Sequence, residues 1–168
     1  LRKREGNSIS RAKCLRAKKK SYGMKWITRS HVHVDRVACP WLIKRFVDSE
    51  AEFIFAAAES ITERAVQENA IPFDVKGVEL GHHDGKCSFD AIIEKYGLKD
   101  PALIALAEVV NAADTDSMDK NSYAAGLEAI AQGFSLMYPD DCTNVERQFA
   151  VYDALHAFFR LQVAKKKN

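Results

Sequence analysis

Arg29-Ser30-His31-Val32-His33-Val34-Asp35-Arg36-Val37-Ala38-Cys39-Pro40-Trp41-Leu42-Ile43-Lys44-Arg45-Phe46 is the stretch that decides the fold. Lys25-Trp26-Ile27-Thr28-Arg29 has strand character and runs into it. Val37, Ala38, Trp41, Leu42, Arg45 and Phe46 then follow helical spacing. His31, His33, Asp35 and Arg36 therefore stand where a strand hands over to a helix. Asp35 can cap that helix, and Pro40 is tolerated near its first turn. Polar groups packed so densely beside a core cost stability unless they are paired or bind something. The junction is thus a candidate site as well as a structural boundary.

Working outward, Glu52-Phe53-Ile54-Phe55 reads as a second strand and residues 59–69 as a polar surface helix. Phe73 to Leu80 alternates around Lys76-Gly77, which predicts short strands with a turn or bulge. The glycines of Gly81-His82-His83-Asp84-Gly85 mark a loop. Ser88 to Tyr96 predicts a short helix capped by Ser88 and ended by Gly97. Asp100-Pro101 opens another, with Asp as N-cap and Pro in the first turn. Its inner face of Leu103, Leu106, Ala107 and Val110 continues by four to Asp114. A helix over 121–132 is expected to end at Gly133, and a last one to run from about Asp140-Asp141 to about 164. The stripe of that last helix is Val145, Phe149, Tyr152, His156, Phe159 and Val163. Its regularity predicts a partner helix, inside the domain or across a homodimer. Strands interleaved with helices, followed by a helical C-terminal half, give an α+β fold with a small sheet packed with helices.

The 168 residues support one domain with a proper core, read as residues 24–168. The net charge of +2 hides an asymmetry. Residues 1–23 hold nine Lys/Arg and one acid, which leaves 16 bases against 22 acids in the rest. The body is acidic, and the basic arm of residues 1–23 reads as disordered or non-native, with Met24 as the natural start. The arm lacks the apolar core of a secretory signal, and no run approaches a transmembrane helix. Cys14, Cys39, Cys87 and Cys142 form no CxxC pair, so free thiols in a cytoplasmic setting are expected.

Three clusters gather polar groups at element ends: His31/His33/Asp35/Arg36, Glu79/His82/His83/Asp84 and Asp114/Asp116/Asp119. Imidazole and carboxylate together suit a divalent transition metal, and His33, Glu79, His82 and Asp114 are the candidate ligands. Taken singly, each cluster also reads as caps and loop charges. Arg29 and Arg36 beside a helix start are candidates for binding an oxyanion. Cys39 and Cys87 precede expected helix starts, where a thiol pKa can fall, and so are redox candidates, or else small buried hydrophobes. His156 reads as a core histidine within an aromatic stripe. No Gly-rich phosphate loop, GxSxG elbow or DNA-recognition module is present.

His33-Val34-Asp35-Arg36-Val37-Ala38-Cys39-Pro40-Trp41-Leu42-Ile43-Lys44-Arg45-Phe46-Val47-Asp48 resembles the signature of the chromate-resistance family, the C-terminal domain of ChrB-type proteins. The likeness continues through Pro72-Phe73-Asp74-Val75, Gly77-Val78-Glu79-Leu80 and Gly85-Lys86-Cys87-Ser88-Phe89-Asp90. Ala113-Asp114-Thr115-Asp116, Ala125-Gly126-Leu127 and Val151-Tyr152-Asp153-Ala154-Leu155 also fit. The resemblance implies a role in bacterial chromate resistance. Full-length members carry an N-terminal DNA-binding half, for which residues 1–23 are too few, so direct DNA binding is not expected. Three expectations follow. A binding module would take chromate or a metal ion through Arg29, Arg36, His33 and His82. An enzyme would hold a metal at His33, Glu79, His82 and Asp114, with Cys39 or Cys87 giving electrons to chromate. A structural module would dimerise through its last helix.

Overall fold

Strand β1, Lys25–Arg29, lies at the centre of a three-stranded sheet of order β2-β1-β3. β2 is Glu52–Ala56 and β3 is Ala70–Pro72, and both run parallel to β1. Trp26 stands beside Phe53 and Ile71, and Ile27 beside Ile54 and Pro72. Parallel neighbours need crossovers, and helices supply them here. Both sheet faces are covered, which is why Trp26, Ile27 and Thr28 of β1 are buried in succession rather than alternately. The computed structural model describes residues 23–115 and 117–166. The expected basic arm thus lies outside the described residues except for Gly23, as do Cys14 and Asp116.

Helix α1 (Val34–Leu42) follows β1 and buries every residue but Arg36. Its last turn widens into a π-helical segment, Ile43–Val47. Helix α2 (Ile61–Glu68) covers the other sheet face, where Ile61 and Ala65 pack on Ile27, Ala56 and Ala70. The main core gathers Trp26 and Phe73 with α1 and the remaining helices: α3 (Ser88–Lys95), α4 (Pro101–Asp114), α5 (Ala124–Met137) and α6 (Asp141–Lys166). Trp41 stacks on Phe89 at 6.4 Å and touches Tyr152, whose hydroxyl donates to the Val34 carbonyl at 3.1 Å. His156 packs edge-on against Trp41 and Phe46 and contacts Asp100 at 2.7 Å, as a satisfied core histidine should. Asp100 caps α4 through the Ala102 N–H at 2.9 Å, with Pro101 in the first turn as expected.

Two expectations change. Phe73–Leu80 is not a pair of strands. One parallel bridge joins Phe73 to Leu80, and the third strand lies earlier, at Ala70–Pro72. Helix α5 runs through Gly133 to Met137, because one glycine costs a helix little and Ser135 beyond it is held by the Val32 and Ala131 carbonyls. The stripe of α6 packs against α4 and α1 within the domain, the first of the two kinds of partner its regularity allowed.

Candidate metal centre

Asp35 sits in the first turn of α1, one residue past Val34, and its side chain is fully buried. It does not cap its own helix. Its carboxylate accepts the N–H groups of Ser88 at 2.8 Å and Phe89 at 3.1 Å, the first residues of α3. The Cys39 thiol, one turn on, donates to the same carboxylate at 3.3 Å. The positive end of α3 thus stabilises a charge supplied by α1. Asp114, the last residue of α4, accepts the Asp35 N–H at 3.2 Å. Asp74 follows β3 with a left-handed φ of 48°. Its carboxylate takes Arg29 Nη2 at 3.0 Å and Arg36 Nε at 3.3 Å. The Asp74 N–H donates to the Leu80 carbonyl at 2.9 Å and closes a tight loop. A Cβ at Gly81 would come within 2.6 Å of the Val75 carbonyl, so only glycine fits there.

That loop delivers His82. Its Nε2 lies 3.1 Å from Asp74 Oδ1, 3.3 Å from Asp114 Oδ2 and 3.4 Å from Asp35 Oδ2. The centre therefore forms at the carboxyl ends of β1 and β3, where open parallel sheets commonly bind ligands. A pocket of about 230 Å³ opens onto it between Arg29, Asp74–Gly77 and His82.

One ring nitrogen carries at most one proton, and here it faces three carboxylates. Contact with Asp35, and the charges of Asp35, Asp74 and Asp114, raise the His82 pKa to about 9. Burial, and then the charges of Asp35 and Asp74, push the Asp114 carboxyl well above the usual carboxylate range. Burial and Asp35 also raise Asp74, against the pull of Arg29 and Arg36. The imidazolium is thus the cation that faces these carboxylates. Above its ordinary value of 6.5 the folded His82 binds more protons than the unfolded one. Its stabilising contribution is full below pH 6.5 and is lost as pH rises through about 9, and the raised Asp114 acts in the same direction. Because the His82 side chain is 43% exposed, solvent screening limits the loss to about 1 kcal/mol. Urea unfolding of chelator-treated protein at pH 6 and pH 9.5 measures it, with lower stability expected at the higher pH.

Of the four ligands expected from sequence, His82 and Asp114 are brought together, and Asp35 joins them with donor atoms within 4.8 Å of one another. His33 turns to Glu128 of α5 at 3.3 Å. Glu79 is on the outer side of the loop, 72% exposed, and pairs with Lys95 at 2.6 Å. Arg29 hydrogen-bonds to Asp74, and Arg36 is ion-paired with the same carboxylate while donating to the Ser30 carbonyl. Cys39 and Cys87 are buried, and burial followed by the Asp35 charge raises both thiols rather than lowering them. They are expected to resist alkylation in the native protein while Cys142, more exposed although partial burial and its neighbouring acids raise its thiol too, reacts faster than either, as peptide mass mapping would show. Asp35 was legible as a cap but not as a ligand, and Asp74 was missed. The signal for Asp74 was its place just after an apolar segment, had that segment been read as a parallel strand.

A family model described as ChrB, C-terminal domain, matches residues 26–159. Protein ChrB of Cupriavidus metallidurans is 33% identical over 138 residues, which cover 82% of this chain and 41% of that protein. The chain therefore spans about two-fifths of the length of this curated relative. No solved structure matches the chain. With four-fifths of its length inside the family model, the chain belongs to the ChrB C-terminal domain family, a bacterial chromate-resistance family.

Proposed function

We propose that this domain supports chromate resistance by binding a divalent transition metal at Asp35, His82 and Asp114, with Asp74 beside them. The observation that carries the reading is the crowding of three carboxylate oxygens, at 3.1–3.4 Å, around one imidazole nitrogen. Two donors that each lie ~2.1 Å from one ion stand roughly 3.0–3.4 Å apart at octahedral or tetrahedral angles. A cation would satisfy acceptors that a single N–H cannot. One imidazole with carboxylates suits Mn²⁺, Fe²⁺, Co²⁺ or Zn²⁺ better than a soft ion. Three protein ligands leave a position for water or a substrate, the pattern of catalytic rather than purely structural sites. The free thiols agree with a cytoplasmic setting.

Calorimetric titration of chelator-treated protein with Mn²⁺, Co²⁺ and Zn²⁺ tests this. One equivalent is expected to bind with release of close to one proton at pH 7.5, since His82 must give up its proton. Failure of all three ions to bind stoichiometrically would falsify the reading.

The oxyanion reading takes second place. Arg29 lines the pocket and is 42% exposed, which favours it. Both arginines already pair with Asp74, so Lys76 is the pocket's other cation for an anion such as chromate, and a bound metal would add the further positive charge. Chromate that binds equally well with and without metal would reverse this order.

A further inference from the structure

A pocket of about 560 Å³ lies between α3, α4 and the 3₁₀ turn Met118–Lys120. Its size falls within the roughly 300–1,000 Å³ typical of small-molecule sites. None of Asp35, Asp74, His82 and Asp114 lines it, so it is separate from the metal centre. Ile93 of α3 with Ile104 and Ala107 of α4 supplies an apolar wall, and Ile104 is 48% exposed. Asn111 fixes a polar end. Its Nδ2 donates to the Gly85 carbonyl at 3.1 Å and to Asp90 Oδ2 at 2.8 Å. The same Oδ2 accepts the Cys87 N–H at 3.1 Å, so Asp90 is held from two sides. Its Oδ1 takes no hydrogen bond among the described residues. Glu108 and Lys120 also line the pocket, and among the described residues neither has an ion-pair partner. Lys86 and Glu94, by contrast, pair with each other.

We infer that this pocket binds a small zwitterion, an α-amino acid with an apolar side chain. Asp90 Oδ1 and Glu108 accept from its ammonium group, Lys120 donates to its carboxylate, and its side chain lies on Ile93, Ile104 and Ala107. The unpaired charges select this class. A dianion would meet two carboxylates, and a simple amine would be repelled by Lys120. A wholly apolar ligand would strip water from Asp90 and return no hydrogen bond. Ammonium and carboxylate on one carbon answer both signs, and the apolar wall takes the rest. Screened charges and few ligand atoms make for a Kd of roughly 0.1–1 mM.

Titration of the full chain with L-leucine up to ~20 mM, followed by amide chemical shifts, tests this over a range that brackets that affinity. Saturable shifts are expected at Lys86–Asp90, Asn111 and Ser117–Asn121. Isopentylamine lacks the carboxylate of leucine and isocaproate lacks the amine, so each is expected to bind several-fold more weakly. Glu108→Gln and Lys120→Gln, both at exposed positions, are each expected to weaken leucine several-fold with the melting temperature unchanged. Lys120→Gln is expected not to weaken the amine, which a general loss of the pocket would do. Absence of saturable shifts in this pocket overturns the proposal. So does leucine binding that both variants leave undiminished, or an amine that binds as tightly as leucine, since the carboxylate would then go unread.

Discussion

Asp35→Ala is expected to lower the stability of the metal-free domain by about 3–5 kcal/mol, as much as truncating a large core side chain. The carboxylate accepts two buried backbone N–H groups of α3 and a thiol, all from a position with no access to water. Alanine leaves the Ser88 and Phe89 N–H groups without an acceptor, and each orphan costs about 1–3 kcal/mol. A term of opposite sign exists, because removing Asp35 relieves its repulsion with Asp74 and Asp114. That relief is smaller, since His82 and two arginines already offset much of the charge. Against a typical total of about 5–15 kcal/mol, the loss should show as a fall of about 10 °C in Tm. Urea denaturation at pH 6 is the measurement. A loss under about 1 kcal/mol would mean that water or another acceptor reaches the start of α3.

His82→Ala is expected to weaken metal binding at least ~100-fold, more than the 10–100-fold typical of losing an outer partner. Among the described residues His82 is the only nitrogen donor of the centre. The same change in metal-free protein removes the one positive charge that faces all three carboxylates. The pH dependence between 6 and 9.5 should therefore flatten, while unfolding at pH 6 becomes easier. His33→Ala is the matched control, because its ring faces Glu128 instead. Calorimetry with Co²⁺ on both variants separates the outcomes. Equal affinities for His82→Ala and the unaltered protein would place the ion elsewhere or nowhere.

The readable parts of this chain were local ones. Asp100-Pro101 announced a helix start because cap and first turn are built from adjacent residues. The apolar stripe of α4 carried the reading to Asp114 because helical periodicity is a property of the segment itself. Lys25–Arg29 was legible as a strand, and the strand-to-helix junction after it as a site. Gly133 misled because one glycine costs a helix little where a residue beyond it, here Ser135, is held by other carbonyls. Glu79 and Asp74 are five residues apart in one loop, and either suits a metal by composition. Parallel pairing decides between them. With β3 at Ala70–Pro72 beside β1, Asp74 comes out at the strand end next to Arg29, and Glu79 is left on the rim with Lys95.

The sequence alone determined the family, the α+β class and a polar junction after the first strand, because these rest on residue types and short-range periodicity. It also placed His82 in a loop and Asp114 at a helix end. Only the tertiary structure decided which of the polar groups meet. Asp35 serves a helix that begins 53 positions later, and its N–H is held by an aspartate 79 positions away. Contacts so distant along the chain leave no local pattern. They arise when burial of Trp26, Trp41 and Phe89 brings α1, α3 and α4 together, and the carboxylates follow the backbones that carry them.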